Sequence, residues 1–227
     1  MLLANKVEIC PKFHFPMNRV ENRFIAAICL IYAIGLAGFI IPAARPLFLW
    51  LTPYNIAGAF AVAWLFHPKW TLAHVVTLLA IGLLGFGVEV LGVQTGAIFG
   101  SYYYGKTLGQ GWHHVPYLIG LNWAAMVFYT SSLLAGRSQN KFLLSLGGAA
   151  MMTLYDFFLE PVAVRFDFWH WRGPIPMQNY IAWFALSFVF LYLLFSSSKP
   201  SHNRVAGTVY FIQLGFFMAL FAWMKLF

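Results

Sequence analysis

Residues 156–183, DFFLEPVAVRFDFWHWRGPIPMQNYIAW, lead from an apolar segment into an aromatic loop and contain three of the six acidic residues of the chain. Asp156 and Glu160 are four residues apart, so a helix places both carboxyl groups on the same face. We expect Pro161 to end that helix. An acidic pair at the end of an apolar segment is costly in a membrane and indicates a site with a function.

The composition is typical of a polytopic membrane protein. Of 227 residues, 61% are apolar and only 9% are charged, whereas in soluble domains roughly a quarter are charged. The formal net charge is +8, and in a membrane protein such an excess serves topology and contact with anionic lipid headgroups. We find no basic pattern typical of nucleic-acid binding, so we expect membrane lipid and no nucleic acid as a partner.

Apolar segments of about 20 residues predict an all-α bundle of seven transmembrane helices. The predicted spans are residues 24–41, 47–66, 72–93, 117–135, 142–160, 179–195 and 205–227. We treat residues 1–227 as a single transmembrane domain, in which residues 1–23 form an N-terminal tail without a signal-peptide core and residues 24–227 form the bundle.

The distribution of Lys and Arg predicts the orientation of this bundle. Nine of them lie on the side of the N-terminus and five on the other side, which favours a multi-pass protein of the cell membrane with its N-terminus in the cytoplasm. In this arrangement the third and fifth spans end on the same side, so the segments around Glu89 and Asp156 meet at one membrane face.

Glu89 is an ionisable residue inside the third predicted span. Burying it costs ~3 kcal/mol, so such a residue usually faces the bundle interior and has a role. Gly85, Gly92 and Gly96 share its helical face, and Gly100 continues the spacing. The glycines indicate close helix packing or a groove for a flat substrate, and both interpretations are open.

The three carboxyl groups suggest acid catalysis. Two carboxyl groups one turn apart in a poorly solvated place will not both ionise readily, so one keeps its proton near neutral pH. Such an acid can protonate a weak base, including an alkene, and carboxylates or aromatic faces can stabilise the resulting cation. The candidate aromatic residues are Tyr102, Tyr104, Trp112, Trp123, Trp169, Trp171 and Trp183, for which an interfacial belt is the alternative. Asn122 and Asn179 either position water or cap helices.

The remaining polar residues indicate no metal site. Asp167 is expected to be solvated or to pair with Arg165 or Arg172. Of the seven histidines only His113 and His114 are close in sequence, and two adjacent histidines are weak evidence of a metal. We therefore expect neither a metal nor another cofactor.

Two blocks of residues, in this order and spacing, match a known pattern. The first contains Glu89, Gly92, Gly96, Gly100, Tyr102, Tyr104, Leu108-Gly109, Val115-Pro116 and Asn122-Trp123. The second contains Asp156, Glu160-Pro161-Val162-Ala163, Trp169, Trp171, Ile175-Pro176, Asn179 and Trp183. Together they resemble the carotenoid biosynthesis protein family that contains the carotenoid 1',2'-hydratases of the γ-carotene and bisanhydrobacterioruberin type. The resemblance covers about residues 70–195, and the loop RGPIP after the second tryptophan is shorter than in the family, which bears on substrate choice.

The resemblance implies a cofactor-independent hydro-lyase of the membrane that adds water to the terminal double bond of an acyclic carotenoid ψ-end, as in lycopene or γ-carotene. Asp156 or Glu89 would donate the proton, the other would hold or activate water, and Glu160 would tune them. The expected substrate-binding residues are Gly92, Gly96, Tyr102, Tyr104, Asn122, Trp123, Trp169, Trp171, Asn179 and Trp183. The expected partners are the carotenoid, membrane lipid and other enzymes of the carotenoid pathway.

Three other functions are open at this point. A membrane carotene cyclase or other isoprenoid-modifying enzyme would use the same protonation and quench the cation by ring closure. A proton-coupled transporter would use the acids as a relay, although they are placed towards one face rather than at a central, repeat-related site. A non-catalytic membrane subunit would bind the carotenoid only.

Overall fold

The computed structural model describes residues 17–227, in which seven helices form a bundle. The helices are α1 Met17–Ile40, α2 Arg45–Leu65, α3 Leu72–Thr95, α4 Tyr117–Leu134, α5 Lys141–Arg165, α6 Met177–Ser197 and α7 Arg204–Leu226. All seven are long and apolar enough to cross a membrane, which confirms the predicted all-α polytopic bundle. Residues 1–16 of the predicted tail lie outside the described residues, and the rest of the tail is the first part of α1. The orientation and the single domain stay predictions.

Helix α4 is the central element of the bundle. Its side chains are buried continuously from Trp123 to Ser132, as expected for a helix that is apolar on all sides and surrounded by others. Helix α3 packs mainly on α4, and α5 packs mainly on α6. Helices α1 and α2 pack on each other and on α7, and so form the other side of the bundle.

Helix α3 runs to Thr95, slightly beyond the predicted span, but ends before Gly96 and Gly100, the last two glycines of the pattern. Gly96 has a left-handed backbone conformation (φ 66°) and caps the helix after Thr95, because a residue without a Cβ adopts this conformation at little cost. Gly96 and Gly100 therefore do not extend a glycine face along α3. Gly92 remains on the helix, where an added Cβ would lie 2.7 Å from the ring of Phe99, so it serves close packing.

Helix α5 does not end at Pro161, and this prediction was wrong. The helix continues to Arg165. Proline removes one backbone donor and favours a kink, but Val162 and Ala163 are completely buried, so packing of this last turn outweighs the loss. As a consequence Glu160 lies inside a helix and is 2% exposed, rather than at a helix end facing the headgroups.

The loops at the end of the bundle where α3 and α5 finish contain four short strands, which the sequence analysis did not predict. They are β1 Tyr102–Tyr104, β2 Gly111–Trp112, β3 Val115–Pro116 and β4 Trp169–Trp171. Strands β2 and β3 form a hairpin, and β1 pairs antiparallel with β4. We call the β1–β4 pair the strand clasp, because it joins the loop after α3 to the loop after α5.

Asp167 is half exposed and contacts the strand clasp, so the expected pairing with Arg165 or Arg172 was wrong, whereas the alternative of a solvated loop acid agrees with its exposure. Its carboxylate accepts hydrogen bonds from His170 Nε2 at 2.8 Å and from the main-chain N–H of Lys106 at 3.1 Å. The hydrogen bond from His170 lowers the pKa of Asp167 from its ordinary value of 3.8.

Candidate active site

Glu89 is buried in α3 and accepts three hydrogen bonds. The Tyr102 and Tyr104 hydroxyls donate to Oε2 at 2.5 and 2.8 Å. The Trp123 indole donates to Oε1 at 3.0 Å. Trp123 approaches this part of α3 because Gly85 has no side chain, and a Cβ there would lie 2.6 Å from its ring. Glu89 as a whole is 4% exposed, and its carboxyl group is held by neutral donors.

Glu160 is buried in α5 and also accepts three hydrogen bonds. The indoles of Trp169 and Trp171 donate to Oε2 at 3.0 and 2.7 Å. The side-chain amide of Asn179, at the start of α6, donates to Oε1 at 2.9 Å. Indole N–H groups only donate, so the Oε2 atom of Glu160 is held as an acceptor.

Asp156 lies one turn earlier in α5 and is completely buried. Its Oδ2 accepts from the same Asn179 Nδ2 atom at 2.9 Å, so one amide nitrogen bridges Asp156 and Glu160. Its Oδ1 has no hydrogen-bond partner among the described residues. A buried carboxylate oxygen without a partner is expensive, whereas a neutral carboxylic acid is less so.

The strand clasp brings the two sets of donors together. Residues two apart in a strand point to the same side, so Tyr102 and Tyr104 face the bundle together with Trp169 and Trp171, their partners in the clasp. The Tyr102 and Trp171 rings are 5.1 Å apart, and the Tyr104 and Trp169 rings are 6.1 Å apart. The donors of Glu89 therefore contact the donors of Glu160 directly.

The two glutamates line a cavity of about 490 Å³. Eight of the ten predicted substrate-binding residues line it as well, and these are Tyr102, Tyr104, Asn122, Trp123, Trp169, Trp171, Asn179 and Trp183. Gly92, Gly96 and Asp156 are not among its lining residues. Asp156 reaches the cavity wall only through Asn179. Trp112, another aromatic candidate, is 57% exposed in the hairpin and lies outside the cavity.

Most of the remaining lining is apolar, and much of it comes from α1 and α2, which the predicted site did not include; Tyr32 of α1 and Thr52 and Asn55 of α2 are polar exceptions. Ile28 and Phe39 of α1 and Ile56 of α2 are among the lining residues. Ile31 and Leu51 line the cavity and are also exposed on the outer surface, so the cavity opens between these two helices. Apolar residues in a membrane helix carry no signal that separates a cavity wall from a lipid-facing surface, which is why they were missed.

The site contains no neighbouring cation in the part of the chain that the structure describes. The only ion pair there is His170 with Asp167, on the outer side of the strand clasp. No three His, Cys, Asp or Glu side chains of residues 17–227 are grouped so that they could hold a metal ion. Among the described residues, the carboxyl groups are therefore held only by neutral hydroxyl, indole and amide donors.

Fold and site together define a seven-helix membrane bundle whose apolar internal cavity ends at buried carboxyl groups. The profile of the Carotenoid biosynthesis protein family matches residues 50–227, and the chain belongs to this family, which confirms the resemblance. Helix α1 lies outside the matched residues.

One relative is informative about activity. The bisanhydrobacterioruberin hydratase of Haloarcula japonica is 31% identical over 121 residues, which cover 47% of this chain and 39% of the relative. The chain thus matches well under half of the length of that protein. No solved structure matches the chain.

Proposed function

We propose that the protein is a carotenoid hydratase that adds water to the terminal double bond of an acyclic ψ-end. The observation that carries this proposal is the mostly apolar cavity, which α1 and α2 line together with Glu89 and Glu160. A long polyene fits such a shape with its end at the acids and its remainder between α1 and α2 or in lipid. The hydratase named above is in accord with this reaction.

The hydrogen bonds favour Glu89 as the proton donor. A carboxylic acid needs an acceptor for its proton, and a tyrosine hydroxyl can accept as well as donate. Glu89 has two such hydroxyls next to Oε2, so it can hold a proton and release it into the cavity. Glu160 is held by two indoles and an amide nitrogen, all donors, and is therefore suited to remain a carboxylate.

The reaction then follows in two balanced steps. Glu89 transfers its proton to the less substituted carbon of the terminal double bond, and the positive charge develops on the tertiary carbon. The Glu160 carboxylate and the aromatic faces of Trp123 and Trp183 stabilise this cation. A water molecule held by Asn122 adds to the cation and returns a proton to Glu89, which restores the acid and leaves a tertiary alcohol.

Asp156 has a supporting role in this proposal. Its carboxyl group shares the Asn179 amide with Glu160 and has no surface in the cavity. As a neutral carboxylic acid it would keep the amide oriented towards Glu160 without adding a second negative charge. Asp156 would thus act as a positioning residue rather than as the donor.

Expression of the chain in a bacterium that makes lycopene or γ-carotene tests the proposal. The pigments are separated and weighed by mass spectrometry, with part of the culture grown in ¹⁸O-labelled water. A hydratase adds the mass of one water per reacted end and incorporates the label. New pigments of unchanged mass would indicate a cyclase, and unchanged pigments from folded protein with several acyclic substrates would refute an enzymatic role on them.

A further inference from the structure

The cavity contains a second group of polar side chains, which the proposed reaction does not use. Gln213 of α7 donates through Nε2 to the Tyr32 hydroxyl of α1 at 2.7 Å. It accepts through Oε1 from the Tyr155 hydroxyl of α5 at 3.1 Å. All three residues line the cavity and are at most 9% exposed. We call this group the tyrosine–glutamine cluster.

The tyrosine–glutamine cluster has a hydrogen-bond donor to spare. One hydroxyl donates to the amide oxygen of Gln213, and the other accepts from the amide nitrogen and keeps its own proton. If the Gln213 amide is flipped, the two hydroxyls exchange their donor and acceptor roles, and in either orientation one phenol proton has no acceptor in the cluster. The Tyr32 hydroxyl only accepts a hydrogen bond among residues 17–227, so its own proton can point into the cavity. Buried polar groups are almost always satisfied, so an oxygen atom of a ligand is the natural acceptor.

The tyrosine–glutamine cluster lies deeper in the bundle than Glu160. Tyr155 precedes Glu160 by five residues in α5, which is about 7.5 Å along a helix axis. If the end of a ligand reaches Glu160, a part further along its chain therefore lies beside the cluster. Ile28 and Phe39 on the α1 wall are apolar. Thr52 and Asn55 of α2 also line the cavity, but the Thr52 hydroxyl already donates to the Phe48 carbonyl, so the cluster is the part of the wall that offers a spare buried phenol proton.

We propose that Tyr32, Gln213 and Tyr155 form a subsite for a hydroxyl or carbonyl oxygen that the substrate carries a few carbons inside its reacting end. The protein then prefers an oxygenated polyene over the hydrocarbon of the same length. The identity of the substrate as a polyene rests on the proposed function, whereas the geometry of the cluster does not.

A binding measurement on the purified full chain in detergent tests the subsite independently of turnover. Two acyclic polyenes of equal length, with and without a hydroxyl group near one end, are titrated while quenching of tryptophan fluorescence is followed; Trp123 and Trp183 line the cavity. We expect tighter binding of the hydroxylated polyene by the wild type. Tyr32→Phe should reduce this preference roughly two- to tenfold, the value of one neutral hydrogen bond, and leave the affinity for the hydrocarbon unchanged.

The matched control is Tyr129→Phe. Tyr129 is also a buried tyrosine of the bundle, its hydroxyl has no partner among the described residues, and it does not line the cavity. This variant should keep the wild-type preference. If Tyr32→Phe does not fold, Tyr155→Phe and Gln213→Met replace it, because each removes a member of the same cluster.

The outcomes separate this proposal from the proposed function. Equal affinity of the wild type for both polyenes, or an equal loss for both in Tyr32→Phe, would overturn the subsite; the second result would mean that the cluster holds a water molecule or only supports the wall. Preferential binding without any hydrated product would overturn the hydratase and leave the subsite standing. Hydration of hydrocarbons without preference would do the reverse.

Discussion

Replacement of Glu89 by glutamine removes an acid while it preserves shape. In the wild type, Glu89 Oε1 faces the Trp123 indole, which only donates, and Oε2 faces the hydroxyls of Tyr102 and Tyr104, which also accept. A glutamine can therefore turn its oxygen to the indole and its NH₂ group to the tyrosines. All three contacts are kept, but the two tyrosines now accept from the amide, and their own protons turn towards each other or into the cavity that both residues line.

The structure thus predicts a separation of stability from activity in Glu89→Gln. Since the three contacts are kept and the displaced tyrosine protons can turn into the cavity, the free energy of unfolding should change by no more than the value of one hydrogen bond, about 1 kcal/mol. The variant cannot supply the proton, and loss of a general acid typically lowers a rate by about 10²- to 10⁴-fold. We therefore expect normal amounts of folded protein and a hydration rate at least about a hundredfold lower.

The assay combines pigment mass spectrometry with thermal unfolding of the purified protein in detergent. Glu21→Gln is the matched control, because Glu21 is a glutamate of α1 that does not line the cavity; this variant should hydrate as the wild type does. A hydration rate for Glu89→Gln within about threefold of the wild type would remove Glu89 from the acid role, since proton donation is worth far more.

Three further predictions concern other parts of the molecule. Asp156→Asn should lower the hydration rate about ten- to a hundredfold at unchanged protein level, because it disturbs the Asn179 amide; an unchanged rate would exclude the positioning role. Gly105→Ala should abolish hydration without changing the helical circular dichroism, because its Cβ would overlap Asp167 oxygens across the strand clasp, whereas Gly147→Ala, where the space is open, should not. Burial, with a contribution from neighbouring His74, lowers the pKa of His67 from 6.5 to about 4. The free energy of unfolding should therefore be highest above pH 6.5 and fall by about 2 kcal/mol towards pH 4, after allowance for screening. His67→Phe should make the unfolding temperature less dependent on pH over this range.

The position of Glu160 shows how a local signal misled the prediction of a helix end. The proline one residue later suggested that the helix stops there. In the structure the helix continues, since Val162 and Ala163 are packed in the core, and Glu160 turns inward. For Asp167 the arginines were one of two expected partners or surroundings, but its carboxylate contacts His170 of its own segment and the main-chain N–H of Lys106, just after β1.

The amino-acid sequence by itself determined the seven helices and singled out the three buried acids. Both are local properties, since the length of an apolar segment decides whether it can span a bilayer and a charged residue inside one is costly wherever it lies. Only the tertiary structure decided which groups surround each acid, that Asp156 stands behind the cavity, and that α1 and α2 form its apolar wall. The surroundings of the acids depend on pairing between segments tens of residues apart, as between Tyr102 and Trp171. The cavity wall depends on which helix faces turn inward, and the sequence of a uniformly hydrophobic helix does not distinguish one face from another.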